Sequence, residues 1–200
     1  MTRLLDQAIK SEAVPPMILV FANGGETSFF SDSPDRTVMG ETVVIRELIP
    51  HIDQHYRTIP SASGRSVHGF SMGGFGALRL AAKYPERFRA AGGHSSITHF
   101  DQFKLFVEEP LEAYGCPKED QSVLERMLQN RQRLPALRFD CGSEDQLIEY
   151  NRQLDRELKQ AGIPHIYEEF PGGHSWPYWE THLAEMLKFF AQCLKSREAK

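Results

Sequence analysis

One short segment constrains the fold more than any other part of the chain: Gly69-Phe70-Ser71-Met72-Gly73, followed at once by Gly74. It matches the pattern G-x-S-x-G. Ahead of it, Arg65-Ser66-Val67-His68 reads as a strand. Behind it, Phe75-Gly76-Ala77-Leu78-Arg79-Leu80-Ala81 reads as a helix of small residues. A serine in that position sits on a sharp strand-to-helix turn with strained backbone angles. Side chains at either flank would collide with neighbouring backbone, which predicts a need for glycine on both sides. The turn lifts the Ser71 hydroxyl into the open. It also sets it at a helix N-terminus, where backbone N–H groups favour developing negative charge.

The remainder of the chain alternates in the same way. Leu4, Leu5, Ala8 and Ile9 recur at helical spacing, with Pro15 and Pro16 expected to end that helix. Met17 to Ala22 is a continuous apolar run of strand length, as suits a parallel strand covered on both faces. Val44, Leu48, Ile52 and Tyr56 predict a helix over about 41–56, kinked by Pro50 inside it. Further strands are expected near 88–93, 137–141 and 165–170. Leu147, Tyr150, Leu154 and Leu158 mark a helix between the last two, and Trp179 to Leu194 a final amphipathic one. Residues 97–134 hold no convincing strand and read as a mostly helical excursion near the site. Strands alternating with helices imply an α/β fold on a parallel sheet.

Composition narrows the function. The 200 residues suit a single domain, 1–200. Lys and Arg total 23 against 27 Asp and Glu, which leaves no basic excess for a nucleic-acid partner. No apolar run approaches the length of a membrane span. Cys116, Cys141 and Cys193 fit neither a closed disulfide framework nor a zinc pattern, and are expected to be buried and inert. The N-terminal MTRLLDQAIK lacks the apolar core of a signal peptide, so a reduced cytoplasmic location is expected. No G-x-G-x-x-G follows a strand, so a dinucleotide-dependent oxidoreductase is excluded.

A serine hydroxyl is a weak nucleophile until a base takes its proton. Among eight histidines, His174 follows the last expected strand, in Pro171-Gly172-Gly173-His174-Ser175-Trp176. His51, His55 and His182 fall on helices, His165 opens a strand and His68 flanks the elbow. His94, in Gly92-Gly93-His94-Ser95-Ser96, is the rival, and is otherwise expected to touch substrate. The acid should follow a strand between nucleophile and base. Asp145, in Asp140-Cys141-Gly142-Ser143-Glu144-Asp145, is the choice, with Glu144 the alternative acid and a helix N-cap the alternative, structural role for Asp145. The order serine, acid, histidine is that of the α/β-hydrolases. The Met72 backbone N–H, just after the nucleophile, is the expected oxyanion donor. Phe29, Phe30, Phe70 and Trp176 are candidates for substrate contact.

These blocks, taken with Pro16-Met17-Ile18-Leu19-Val20, Asn23-Gly24-Gly25 and Glu47-Leu48-Ile49-Pro50-His51-Ile52-Asp53, give a chain that resembles the esterase D-like putative esterase family. That group includes feruloyl and acetylxylan esterases, S-formylglutathione hydrolases and mycolyltransferases. The resemblance implies a Ser71–Asp145–His174 triad and hydrolysis of a small-molecule ester without metal or cofactor. It also exposes a departure. Family members carry earlier strands, one ending in a His-Gly-rich loop that supplies an oxyanion N–H, and no such segment stands here. Four expectations follow. The fold is a reduced α/β-hydrolase of about five mostly parallel strands with helices on both faces, and Met17–Ala22 pairs directly with Ser66–Phe70. An exposed apolar surface makes a homodimer. The second oxyanion donor comes from Gly24 or Gly25, or is missing and turnover is slow. The rival to an active esterase is a weak or inactive truncated hydrolase domain kept as an interaction module.

Overall fold

The computed structural model describes residues 2–24, 29–114 and 116–195. Four parallel strands form one sheet in the order β1-β2-β3-β4: Ser66–Phe70, Ala90–His94, Ala136–Gly142 and Ile166–Phe170. Neighbouring strands are all joined by crossovers. The register pairs Phe70 with His94, His94 with Asp140, and Gly142 with Phe170. The carboxyl ends of all four strands therefore lie level along one edge, and the loops that follow them meet there.

Helices cover both faces. Helix α4 (Met72–Lys83) lies across β1 and β2, with α5 (Val123–Gln129) and α6 (Ile148–Gln160) beside it. Their core is built on Phe75, Leu78, Leu137, Phe139, Leu154 and Leu158. The opposite face is covered by α7 (Trp176–Lys195) and α1 (Thr2–Lys10) through Leu5, Ala90, Leu183, Met186 and Phe190. The period-2 alternation of β2 serves both layers. A side chain on Gly92 would strike Met186 of α7, whereas one on Gly93 would strike Ser96 on the other side.

The expected helix over 41–56 forms as one helical stretch with a wide turn inside it. Helix α2 (Gly40–Thr42) runs through a π-helical turn (Val43–Leu48) into α3 (Ile49–His55). Pro50 explains the widening: its ring clashes with the carbonyl four residues earlier and it offers no N–H. The Ile49 N–H bonds instead to the Val44 carbonyl, five residues back. The 97–134 excursion is helical as expected, but mainly in short 3₁₀ turns (Phe100–Leu105, Leu111–Tyr114, Lys118–Asp120) before α5. Helix α1 stops at Lys10, ahead of the two prolines, where Glu12 takes a positive φ of 58°.

The apolar run Met17–Ala22 corrects the expectation of about five strands. Among the described residues it forms no strand and does not pair with β1, which is an edge of the sheet. Met17 and Leu19 pack on the α1–α7 cluster, while Ile18, Val20 and Phe21 are exposed. The segment buries its alternate side chains by packing alone. Its outer side remains in water, so its backbone has no need of a ladder partner.

Candidate active site

Ser71 occupies the turn between β1 and α4 with φ 52° and ψ −115°, a conformation that costs a residue with a side chain about 1–3 kcal/mol. Three backbone bonds hold it there. The Ser71 N–H donates to the His94 carbonyl at 3.0 Å, and the Ser71 carbonyl accepts from Phe75 at 3.1 Å and Ile97 at 3.3 Å. The glycine requirement is only partly as expected. A Cβ on Gly69 would collide with the Gly73 backbone, but a Cβ on Gly73 meets nothing within 4 Å. The crowded positions after the serine are Gly74, which lies against Ser96, and Gly76, which lies against the Phe30 ring.

The loops after β3 and β4 bring the other two groups to the elbow. Gly142 and Gly172 let them touch: a Cβ on Gly142 would strike the Gly172 carbonyl, and Gly172 takes a φ of 129°. Ser143 N–H then bonds to the Phe170 carbonyl and Glu144 N–H to that of Gly172. In this frame the Ser71 hydroxyl donates to His174 Nε2 at 2.9 Å. The His174 Nδ1–H faces both Asp145 oxygens, at 3.1 and 3.0 Å. Asp145 is buried, and its Oδ1 also accepts the Leu147 N–H at 2.8 Å. It therefore caps the chain entering α6 while it orients the imidazole. Glu144, the alternative acid, is exposed.

Burial raises the Asp145 pKa, but the hydrogen bonds from His174 and the Leu147 N–H, with the Ser95 hydroxyl nearby, more than offset it, and the carboxyl titrates below its ordinary 3.8. Ser95 is itself buried at a positive φ of 48°, although its hydroxyl makes no bond of normal geometry. As the first residue of α4, Met72 has an N–H without an intrahelical acceptor, immediately after Ser71. Gly24 lies against the Phe30 ring. Gly25 lies outside the described residues.

The expected substrate contacts divide. Trp176 is 61% exposed and its ring meets Phe70 and Trp179 edge-on beside the site. Phe70 lies behind it, stacked between His94 and Trp179. Phe29 is buried among Phe100, Phe103 and Tyr114, and Phe30 packs on the same core, so both are structural. His94 is wholly buried and bonded to Asp140, which corrects the expectation that it touches substrate. The residue that sequence reasoning missed is Phe106. Its ring centroid lies 5.0 Å from that of His174, with an exposed outer side. Nothing in its local pattern marked it; only the placement of the whole excursion near the site pointed that way.

Burial raises the pKa of each cysteine thiol, Cys116 and Cys141 being buried and Cys193 only partly so. Among the described residues no cluster of His, Cys, Asp or Glu has the makings of a metal site, and no helix is long and apolar enough to cross a membrane.

A parallel sheet bearing a strained serine on a strand–helix turn, with an acid after a later strand and a histidine after the last, has the layout of the α/β-hydrolase fold. More narrowly, the chain belongs to the Putative esterase family, whose model matches residues 1–190. Esterase Rv1288 of Mycobacterium tuberculosis is 34% identical over 191 residues, covering 80% of this chain and 42% of its own length. The chain thus spans under half of that relative. An acetyl esterase of Caldicellulosiruptor saccharolyticus is 26% identical, over 88% of this chain and 72% of the relative. Among solved structures, a ferulic acid esterase superposes with a TM-score of 0.82 at 25% identity, over 96% of this chain and 76% of that one. An S-formylglutathione hydrolase of Staphylococcus aureus shares the fold at a TM-score of 0.71 and 16% identity, over 82% and 68% of the two chains.

Proposed function

We propose that the chain is a serine carboxylic-ester hydrolase that works through an acyl-enzyme. The observation that carries this reading is the 2.9 Å bond between the Ser71 hydroxyl and His174 Nε2, with Asp145 behind the ring. Ser71 Oγ attacks the ester carbonyl while His174 takes its proton. The Met72 N–H donates to the oxyanion, and His174 returns the proton to the departing alkoxide. Water, activated by the same histidine, then releases the acid. Asp145 stays ionised and holds the imidazole tautomer. An intact triad is more than an interaction module would need to keep.

The substrate reading is a short-chain or carbohydrate-linked ester. Phe106 and Trp176 supply exposed apolar surface beside the triad, suited to a small acyl group or a flat ring. The acetyl esterase and ferulic acid esterase relatives favour the same range. The test is hydrolysis of p-nitrophenyl esters by wild type, Ser71→Ala and His174→Ala. Acetate and butyrate should be cleaved faster than the twelve-carbon ester at matched soluble concentration, and only by wild type. Preference for the long chain would overturn the substrate reading, and activity in Ser71→Ala the mechanism.

Two further expectations remain proposals. The exposed edge of Ile18, Val20 and Phe21 supports a homodimer, which a monomeric mass on sedimentation would refute. Three unbridged thiols suit a reducing, cytoplasmic setting, which cell fractionation would check.

A further inference from the structure

Beneath the triad lies a second histidine–carboxylate pair that the proposed reaction does not use. The His94 Nδ1–H donates to Asp140 Oδ2 at 2.6 Å, and both side chains are completely buried. The Tyr178 hydroxyl donates to the other oxygen, Oδ1, at 2.8 Å. Both oxygens of a carboxylate with no access to water are thus filled by donors from two separate segments. The His94 Nε2 has no hydrogen-bond partner among the described residues, so within them the pair does not extend to the site as a proton path.

Each member of this group is tied to a different part of the triad. His94 ends β2. Its carbonyl accepts the Ser71 N–H at 3.0 Å, and its ring stacks on Phe70 at 5.5 Å and 12°, immediately before the nucleophile. Asp140 lies in β3, its carbonyl accepting the Ser95 N–H at 2.8 Å, five residues before Asp145. Tyr178 is in the first turn of α7, four residues after His174. Its ring is seated against Gly172, where a Cβ would approach to 2.9 Å. The next residue, Trp179, meets the His174 ring edge-on at 5.1 Å.

We propose that His94, Asp140 and Tyr178 are the positioning residues of this active site. They set the elbow, the acid loop and the base loop at fixed separations from one buried carboxylate. The inference rests on the esterase reading of Ser71. Apolar packing at this level would let the start of α7 slide over the sheet, because it specifies contact without direction. A satisfied buried hydrogen-bond network specifies lengths and angles, and so rigidifies what it joins. The reaction is sensitive to such displacement: a misplacement near 1 Å costs about 10²-fold in rate.

The test compares wild type with Tyr178→Phe, His94→Leu and His94→Asn. The Asn side-chain nitrogen takes the place of Nδ1 and restores a donor to Asp140. For p-nitrophenyl acetate, Tyr178→Phe and His94→Leu should lower kcat by about 10- to 100-fold with KM unchanged, and His94→Asn should recover most of that loss. Unchanged kcat in Tyr178→Phe and His94→Leu would overturn the proposal, as would a loss that Asn fails to restore. If His94→Leu does not fold, Tyr178→Phe decides alone. Ser71→Ala is assayed beside them: hydrolysis that survives in it sinks the esterase reading instead. If wild type itself does not hydrolyse the ester, that reading falls too. The low-field proton resonance of His174 Nδ1–H then decides the positioning role. It should broaden or shift in Tyr178→Phe, and an unaltered line would refute it.

Discussion

Ser71 holds an unfavourable backbone conformation because three hydrogen bonds and a glycine on its N-terminal side leave it no other. That strain orients its hydroxyl toward His174. The proposed reaction depends on which imidazole nitrogen carries the proton, and in that reading Asp145 fixes the tautomer by accepting from Nδ1. Asp145→Asn keeps the shape but offers an amide that donates to Nδ1 and selects the wrong tautomer. The expected result is a fall of about 10⁴ in kcat with little change in melting temperature; a loss under tenfold would mean another group orients the ring. Ser71, Asp145 and His174 were legible in the sequence because each follows a strand in a fixed order. His94 follows a strand too, yet points beneath the sheet. Which face a residue at a strand end takes depends on register, and register is a property of the neighbouring strands. Phe106 reaches the site from a chain of 3₁₀ turns whose path no local periodicity encodes.

At the scale of elements, α4 is the hub, and its outer side is held by charge. Arg79 is fully buried, donating to Glu41 at 2.7 Å and to the Phe30 carbonyl, with Asp120 at 3.2 Å. Lys83 bridges the same two carboxylates, and Arg126 of α5 adds a bond to Asp120. Burial works against ionisation of Asp120, but Arg79 and Lys83 prevail and lower its pKa. The loop before α2 and the 3₁₀ excursion are thereby fastened to the helix that follows Ser71. Arg79→Met leaves these buried carboxylates short of a partner and should destabilise the protein by about 3–5 kcal/mol, read from urea unfolding. A change under about 1 kcal/mol would show that Lys83 and Arg126 suffice. Little of this network was legible, since Glu41, Arg79 and Asp120 are far apart in sequence and each reads as an ordinary surface charge. The helices and the four paired strands were legible from periodicity and from the glycine and proline boundaries. Met17–Ala22 misled because an apolar run of strand length shows the capacity to pair and says nothing of whether an edge is in reach.

Across the whole molecule, the layer between sheet and α7 is unusually polar, holding His68, His94, Arg138, Asp140 and Tyr178. This has a consequence for pH. Burial, helped by His94, pushes His68 well below the usual histidine value of 6.5, and burial lowers His182 as well. The unfolded chain therefore takes up protons near pH 6.5 that the folded one refuses. Stability falls as pH drops below that value, by up to about 1.4 kcal/mol per pH unit for His68. The carboxylates with lowered pKa values, Asp120, Asp145 and Asp155, contribute stability above about pH 4 that is lost only below it. Urea midpoints at pH 7.5, 6 and 5 should decline in that order, and His68→Leu should flatten the decline; equal midpoints would show that His68 gains its proton without cost.

The proposed hydrolysis requires that Ser71 become acylated. Wild type, Ser71→Ala and His174→Ala are mixed with p-nitrophenyl acetate, quenched in acid within the first turnovers and read by intact-mass and peptide mass spectrometry. A single acetyl group on Ser71 in wild type, and on neither variant, is the predicted result. Hydrolysis by wild type with no adduct on Ser71, or an adduct on another residue that persists in Ser71→Ala, would contradict it.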